Sequence, residues 1–436
     1  MTASPRPTPP SVLRSPDFLK LWAGQTISSF GTQVTILAVP IVAALTLHVS
    51  AFEFGLLTTI EFVPFVVLSL PAGVWVDRIR RRPILVTADL LRAVSLLSIP
   101  AAFALNALTI WQLYVVVFVN GCLTVFFDVA YQSYLPSVVE RDQLVEGNAR
   151  LELTRGASQR LGPGVAGVLI GIATAPVALL VDAVSYLVSA LSLTWIRRSE
   201  PAIERRAATH PRSSMRADVA VGLRYVAGHR WLRALAMTVA IENLFGNIAD
   251  SILILYLVTE RHVSPALIGL AFTIGSVGVI GGALVAPRLT RAIGVGPTIV
   301  LTAVGSSVAW IPVAIAPDAL VFVGLTTTIV ALSFFAIPWS VNAMSLRQAI
   351  TPPAMLGRMN ATMRFISWGT VPIGALAGGF LGGVIGLHNA IWVGALGCVL
   401  AFVPVAMSSI RKIRTMPDAA DEPSTSEERP AAVART

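Results

Sequence analysis

The sequence predicts an all-α membrane protein, with about twelve transmembrane helices in two pseudo-symmetric six-helix bundles. Three observations predict it. Of 436 residues, 55% are hydrophobic and only 13% charged, against about 25% charged in a soluble domain, and the mean hydropathy is +0.75. The apolar residues gather in stretches of the roughly 20 residues that a helix needs to cross the hydrocarbon core. The arginines fall in every second loop between those stretches.

The stretches lie near 19–46, 53–76, 84–106, 109–135, 149–172 and 176–196, and then, after a polar interval, near 232–258, 265–287, 296–315, 319–345, 358–385 and 389–410. They make six spans, a break and six more. The order of charges sets their direction. Arg78, Arg80, Arg81 and Arg82 follow span two, Arg141 and Arg150 follow span four, and Arg197, Arg198, Arg205, Arg206, Arg212 and Arg216 follow span six. Arg288 and Arg291 follow span eight, and Arg347 and Arg358 flank the loop after span ten. The intervening loops carry no arginine or lysine, with Arg261 as the exception. Basic residues remain on the cytoplasmic side, so both termini are expected there.

This distribution also decides what the net charge of +9 means. A nucleic-acid surface gathers its basic residues on one face, whereas these recur loop by loop, so no nucleic-acid partner is expected. Cys122 and Cys398 both lie inside apolar runs, which gives neither a disulfide framework nor a metal quartet. No cleavable signal is expected, because residues 1–16 are polar and Pro-rich and the first apolar stretch is too long. The chain is expected to divide into an N-terminal segment 1–17, a bundle 18–197, a linker 198–231, a second bundle 232–412 and a disordered acidic tail 413–436. Within the linker, Val219, Leu223 and Val226 share one helical face ringed by Arg216, Arg224 and Arg230, a pattern that suits a helix lying along the membrane surface.

The two halves repeat each other. Phe30-Gly31 returns as Phe245-Gly246, Phe54-Gly55-Leu56 as Ile268-Gly269-Leu270, and Phe126-Phe127 as Phe334-Phe335. Leu144, Asn148-Ala149, Gly162, Gly167 and Gly171 return as Leu356, Asn360-Ala361, Gly374, Gly379 and Gly383. One order at one offset of about 210 residues marks parallel six-helix repeats that place a site between two bundles.

After span two comes Gly73-Val74-Trp75-Val76-Asp77-Arg78-Ile79-Arg80-Arg81-Arg82-Pro83. Gly73 allows two helices to approach closely, and Asp77 can pair with an arginine or a helix N-terminus. This stretch resembles the G-x-x-x-D-R-x-x-R-R loop of the major facilitator superfamily. The resemblance implies a cytoplasmic gate built from Gly73, Asp77, Arg78, Arg81 and Arg82, while a merely topogenic loop accounts for the arginines alone. The counterpart after span eight keeps Arg288 and Arg291 but has no acidic residue. Span five carries Gly162-Pro163-Gly164-Val165-Ala166-Gly167, similar to the G-P-x-x-G-G element of antiporters in that superfamily with Ala166 replacing a glycine. It implies a packed, bent hinge at Gly162, Pro163 and Gly167, or else generic tight packing. Phe18 to Gln25, Gly222 to Val226 and Gly357 to Phe365 resemble the drug- and siderophore-efflux branch, so that the resemblance covers almost all of residues 17–412. Span four lacks the arginine that many proton-coupled exporters carry there.

Ionisable groups inside a membrane are costly and are functional candidates by default. On span seven Asn243, Gly246, Asn247 and Asp250 share one face, with Glu242 beside them. Span one shows a matching stripe of Ser28, Gly31, Thr32 and Thr35, with Gln25 a turn earlier. Asp250 and Glu242 are the expected proton-titrating or cation-binding carboxylates, against a purely structural network. Asn243, Asn247, Gln25 and Thr32 are expected around the same cavity. Glu61 in span two is expected either to face that cavity and meet cationic substrates or to pair across helices. Asp128 in span four either lines the cavity or pairs with a gate arginine. Asp89 and Arg92, three apart, read as a local pair, and Asp182 as a residue reaching water near the end of span six. Trp310, Phe334, Phe335, Trp339 and Trp368 are packing or interfacial anchors, or line an apolar pocket.

There is no phosphate-binding glycine loop and no His/Cys/carboxylate cluster with metal spacing, so no cofactor or metal is expected and the proton gradient is the expected energy source. Together the residues and the resemblance imply a monomeric secondary transporter in the inner membrane. It would export a small amphipathic molecule, drug-like or siderophore-like, by proton antiport, with the bilayer, protons and substrate as partners. An importer or lysolipid flippase on the same fold is one rival, and a non-transporting sensor or scaffold another. The short loops and tails disfavour the sensor.

Overall fold

The structure is a computed structural model that describes residues 11–76, 79–140, 143–198, 200, 215–352 and 355–417. The expectations for residues 1–10, Asp77, Arg78, Arg141, the linker stretch 201–214 and the tail from 418 onward lie outside the described residues.

Every regular element among the described residues is helical. In the first half these are α1 (Pro16–Ile41), α2 (Ala51–Val76), α3 (Arg81–Ala104), α4 (Ile110–Val138), α5 (Leu144–Ala173) and α6 (Ala175–Thr194). The amphipathic helix α7 (Met215–Gly228) leads into α8 (Arg230–Thr259), α9 (Pro265–Ile293), α10 (Val295–Val308) and α11 (Ile311–Ile315). They are followed by α12 (Val321–Ile350), α13 (Leu356–Ile385), α14 (Leu387–Val399) and α15 (Val403–Met407). Two spans are each built of two pieces: α10 and α11 break ahead of Pro312, and α14 and α15 ahead of Pro404, where a missing N–H interrupts the helical ladder. Counted this way the described residues hold twelve long helical units. Eleven are long and apolar enough to be recognised by length and composition. The twelfth, α5, is thirty residues long and is diluted by Glu146, Arg150, Glu152, Arg155 and Arg160.

Helix starts follow local chemistry. Ser15 accepts from the Phe18 amide above Asp17 in the first turn of α1. Ser50 and Glu53 cap α2 reciprocally, Glu53 accepting from the Ser50 amide at 2.8 Å and Ser50 Oγ from the Glu53 amide at 3.3 Å, a capping box. Ser264 caps α9 in the same manner, accepting from Leu267. These two caps belong to a repeat that the sequence reading did not use: His48-Val49-Ser50 recurs as His262-Val263-Ser264. Both histidines have φ of 51°, and the amides of Val49 and Val263 each reach back to a carbonyl six residues earlier. The halves thus share backbone geometry at their loops as well as side chains. Thr174 and Gly386 form a further pair, each a single-residue turn at positive φ (75° and 88°).

Within the first half α1 packs on α5 and α6, α3 on α4 and α6, and α2 on α4; within the second, α8 packs on α13 and α14, and α9 on α12. The halves meet along α2–α13 and α5–α9. The buried core shows at which end they meet. One large cluster, running through Leu37, Leu57, Leu179, Ile252, Ile268 and Ile391, contains residues of both halves and lies towards the arginine-poor loops. At the arginine-rich end the core splits in two, one cluster around Leu21, Leu85 and Tyr134 and another around Leu232, Leu346 and Met359. The molecule is closed at the arginine-poor end and parted at the other.

Glycine makes the closure possible. A Cβ on Gly55 would lie 2.6 Å from the Ala375 carbonyl and 2.7 Å from Gly379 Cα, and one on Gly167 would lie 2.6 Å from the Pro265 carbonyl. The lone arginine of the arginine-poor end, Arg261, donates to Asp318, to Tyr256 Oη and to the Ala316 carbonyl, so its charge is matched locally. Large apolar side chains such as Val94, Val115, Ile280 and Val384 stand exposed on the outer faces of α3, α4, α9 and α13, where lipid replaces water. Helix α7 packs on α13 through Gly222, beside Thr362 and the Arg358 carbonyl. Val226 is buried with Trp231 and Met359, while Leu223 stays partly exposed.

Candidate functional site

A cavity of about 670 Å³ runs from the arginine-rich end to mid-membrane within the first half. Its walls are polar and come from α1, α3, α4, α5 and α6. Gln25 and Thr32 of α1 and Asp128 of α4, all singled out in the sequence, line it together with Arg92, Arg155 and Tyr186. The α1 stripe is held from behind. Gln25 Nε2 donates to Ser189 Oγ at 3.0 Å, and Thr32 shares a 3.1 Å hydrogen bond with the Tyr186 hydroxyl while donating to the Ser28 carbonyl.

Behind that wall lies a network of charges. Arg92 donates to Asp89 at 2.5 Å as the i, i+3 pair expected, and both side chains are enclosed. The guanidinium is sandwiched between Phe127 and Tyr186, 4.2 and 4.4 Å from the ring centroids, a cation–π arrangement. Asp182 differs from its expected place: it reaches no water, is wholly buried and accepts from Thr35 Oγ1 and, at 2.9 Å, from Ser185 Oγ. No sequence signal marks this contact, because α1 and α6 become neighbours only in the folded bundle.

The residues of span seven spread out rather than gather on one surface. Asn243 Nδ2 donates to the Ser367 carbonyl and hydroxyl of α13 at 2.8 and 2.9 Å, and Asn247 donates to the Asn243 carbonyl at 2.7 Å. Gly246 packs near Trp310 and Cys398, and Glu242 lies within hydrogen-bond reach of Ser306 on α10. Asp250 is exposed, and neither it nor half-buried Glu61 has a hydrogen-bond or ion-pair partner among the described residues. Glu61 is followed by Phe62 and, one turn on, Phe65. Both rings meet Trp368 of α13 with centroids 6.0 Å apart, so an unpaired acid and an aromatic trio sit on the seam between the halves. Of the other aromatics, Trp310 is buried in the core, Phe334 backs onto Gly281 and Gly282, and Phe335 faces Gly305.

At the arginine-rich end, Arg81 and Arg82 bind α6 and the start of the linker. Their amides donate to the Glu200 carboxylate at 2.9 and 3.3 Å, and the Arg82 guanidinium donates to the Thr194 carbonyl. Glu200 thereby caps the N-terminus of α3, where a negative charge is favourable. Gly73 is helical, within α2. Gly162 packs on Gln33 of α1, while the Pro163 carbonyl and Gly167 press on Gly269 of α9. The Gly-Pro element is thus part of the contact between halves, in a helix continuous through Pro163. Among the described residues no group of three or more His, Cys, Asp or Glu is placed to hold a metal ion.

Comparison with known proteins sets this geometry in context. Residues 8–434 match the family model described as transmembrane secretion effector. The multidrug efflux pump Tap of Mycolicibacterium fortuitum is 26% identical over 406 residues, covering 90% of this chain and 96% of that protein. The uncharacterized MFS-type transporter YfiS of Bacillus subtilis is 24% identical over 62% of this chain, and the match spans only 63% of its length. Macrolide efflux protein A of Streptococcus pyogenes is 27% identical over 41% of this chain and 44% of its own length. Among solved structures, a bacterial homologue of the iron transporter ferroportin in the inward-facing state superposes with a TM-score of 0.66 at 18% identity, covering 91% of this chain and 99% of that one. The nucleoside transporter NupG gives 0.64 at 12% identity, covering 90% and 99%. At such identities the likeness is one of fold.

Proposed function

We propose a function from one premise: the chain belongs to the transmembrane secretion effector family of major facilitator transporters. It is a multi-pass membrane transporter. Our reading is that it exports an amphipathic, drug-like or siderophore-like molecule across the inner membrane by proton antiport, as a monomer with both termini in the cytoplasm. One observation carries the reading. The polar cavity is open at the arginine-rich end while the halves are sealed at the other, and with basic loops inside this is the state in which cargo is exchanged with the cytoplasm, the uptake step of an exporter. Near-full-length similarity to a multidrug efflux pump supports export as the direction over import.

In this reading Asp250 and Glu242 carry the proton on α8, since a carboxylate without a cationic partner in a membrane is best relieved by protonation. Glu61, with Phe62, Phe65 and Trp368, supplies an acidic and aromatic wall suited to a lipophilic cation, and Gln25, Thr32, Asn243 and Asn247 supply polar contacts. Arg81 and Arg82, with Asp77, Arg78, Gly73 and Asp128, serve as the cytoplasmic gate, and Gly162, Pro163 and Gly167 as the hinge where α5 bears on α9.

The test is accumulation of ethidium in pump-deficient bacterial cells expressing wild type, Asp250→Asn or Glu242→Gln, with and without a protonophore. Lower dye in wild-type cells, abolished by the protonophore and by either substitution, is the expected result. Equal dye in all cells, with each protein verified in the membrane, would refute the export of lipophilic cations.

A further inference from the structure

Asp182, Asp89 and Arg92 in the first half are unused by the reading above, and the arithmetic of their charges is unusual. Asp182 on α6 is wholly buried between Thr35 and Ser185. It sits this close to α1 because position 31 is glycine: a Cβ there would lie 2.6 Å from Asp182 Oδ1. One turn along α6, Tyr186 covers one face of Arg92 and Phe127 the other. Arg92 pairs with Asp89, and its Nε is buried without a partner among the described residues. Asp128, next to Phe127, lines the cavity and feels Arg92, Arg155 and Arg364, the last from α13 in the opposite half. Arg155 lies 4.0 Å from Glu152, and both are mostly exposed. On α1 the neighbours of Asp182 are uncharged Gly31 and Thr35, while Thr32 meets the Tyr186 hydroxyl.

Asp89 already matches the enclosed guanidinium, and Asp128, which lines the cavity, has Arg155 and Arg364 near it as well. Asp182 is the buried carboxylate left over, and the enclosed set of Asp89, Arg92 and Asp182 is electrically balanced only when Asp182 holds a proton, because uncompensated charge is disfavoured in a low-dielectric interior. The cavity gives the cluster a path to water, and the hydroxyls of Thr35 and Ser185 orient the deeper carboxyl.

We propose that Asp182, reached through Asp128 and Arg92, is a proton-carrying site in the N-terminal half of the transporter, additional to the α8 carboxylates. It rests on the reading of the chain as a proton-driven exporter. The proton passes from cavity water to a carboxylate oxygen and returns to water on release, with no other co-reactant. When Asp182 is ionised, its charge draws on Arg92 and ties α6 to α3; when it is neutral, Arg92 is left to Asp89 and Asp128. The change is felt by α1 through Thr35 and Thr32, and α1 packs on α5 at the seam between halves.

The experiment is infrared difference spectroscopy of the purified full chain in detergent, titrated from acid to alkaline pH, which reads protonated carboxyl groups without any substrate. In wild type a protonated-carboxyl carbonyl band disappears on alkaline titration. That band is absent in Asp182→Asn and retained in both Asp250→Asn and Glu242→Gln. Thr35→Val, which keeps the carboxyl but removes its hydroxyl partner, shifts the band to higher frequency, and it carries the test if Asp182→Asn fails to fold. An unchanged set of bands in folded Asp182→Asn, or an unmoved band in Thr35→Val, would overturn the proposal. A band that follows Asp182 in a protein that exports no ethidium would support the proton site and defeat only the export reading.

Discussion

Arg92 brings three kinds of interaction to one point: an ion pair with Asp89, two aromatic faces and a share in the cavity wall. Removing one partner of such a pair leaves the other charge buried and uncompensated, at a cost of roughly 3–5 kcal/mol. Arg92→Ala is therefore expected to lower the unfolding temperature in detergent sharply, as read by a thermal fluorescence scan. The double substitution Asp89→Leu with Arg92→Met, which removes both charges and keeps the bulk, is expected to recover most of that loss. At this scale the sequence was legible wherever partners share a helix. Asp89 and Arg92 are three residues apart, and their pairing follows from spacing alone. Asp182 was not legible, because its partners Thr35 and Arg92 stand on α1 and α3, and nothing in one chain's spacing says that α6 lies between them. The same holds for Trp368, whose ring meets Phe62 and Phe65 from the other half.

Among elements, the crossings α2–α13 and α5–α9 hold the arginine-poor end shut, and both depend on glycine facing backbone. Gly55 admits the Ala375 carbonyl and Gly379, and Gly167 admits Pro265 and Ala266. Small residues at such contacts allow van der Waals packing that substitutes for the absent hydrophobic force between helices in lipid. Thr59, one turn inward of Gly55, donates to the Pro372 carbonyl at 3.2 Å, and a cysteine placed there reports on the seal. Gly55→Val is expected to pry α2 from α13 and raise labelling of Thr59→Cys by a membrane-impermeant maleimide. A bias of about 1.4 kcal/mol between the two arrangements changes their ratio tenfold, so the effect is readable as a labelling rate; equal rates with and without Gly55→Val would count against the seal. The glycines were visible in the sequence as a repeat, but not their partners. Helix α5 was visible in the sequence as the apolar stretch 149–172, although its charged first half dilutes its hydropathy.

For the whole molecule, the alternation of arginine-rich and arginine-poor loops and the repeated Phe-Gly and Gly-rich elements gave both the count of spans and the two-bundle plan. The His-Val-Ser tripeptides at 48–50 and 262–264, with their matching backbone turns, add an independent mark of the same duplication. What sequence alone did not reveal is the state of the molecule, because opening one end and closing the other is a property of contacts between halves. The core supplies it: continuous across both halves at one end, divided at the other. An alternating-access exporter needs this asymmetry to reverse, and proton binding in one state and release in the other drives the reversal. In the proposed cycle cargo and protons cross in opposite directions. This exchange is tested most directly with the purified protein in liposomes that enclose a pH-sensitive dye, with ethidium added outside and an acid-inside gradient imposed. Ethidium is expected to accumulate inside, the lumen to become more alkaline as it does so, and both changes to vanish when an ionophore collapses the gradient. Ethidium entry at one rate with or without the gradient, leaving the internal pH unchanged, would contradict the exchange.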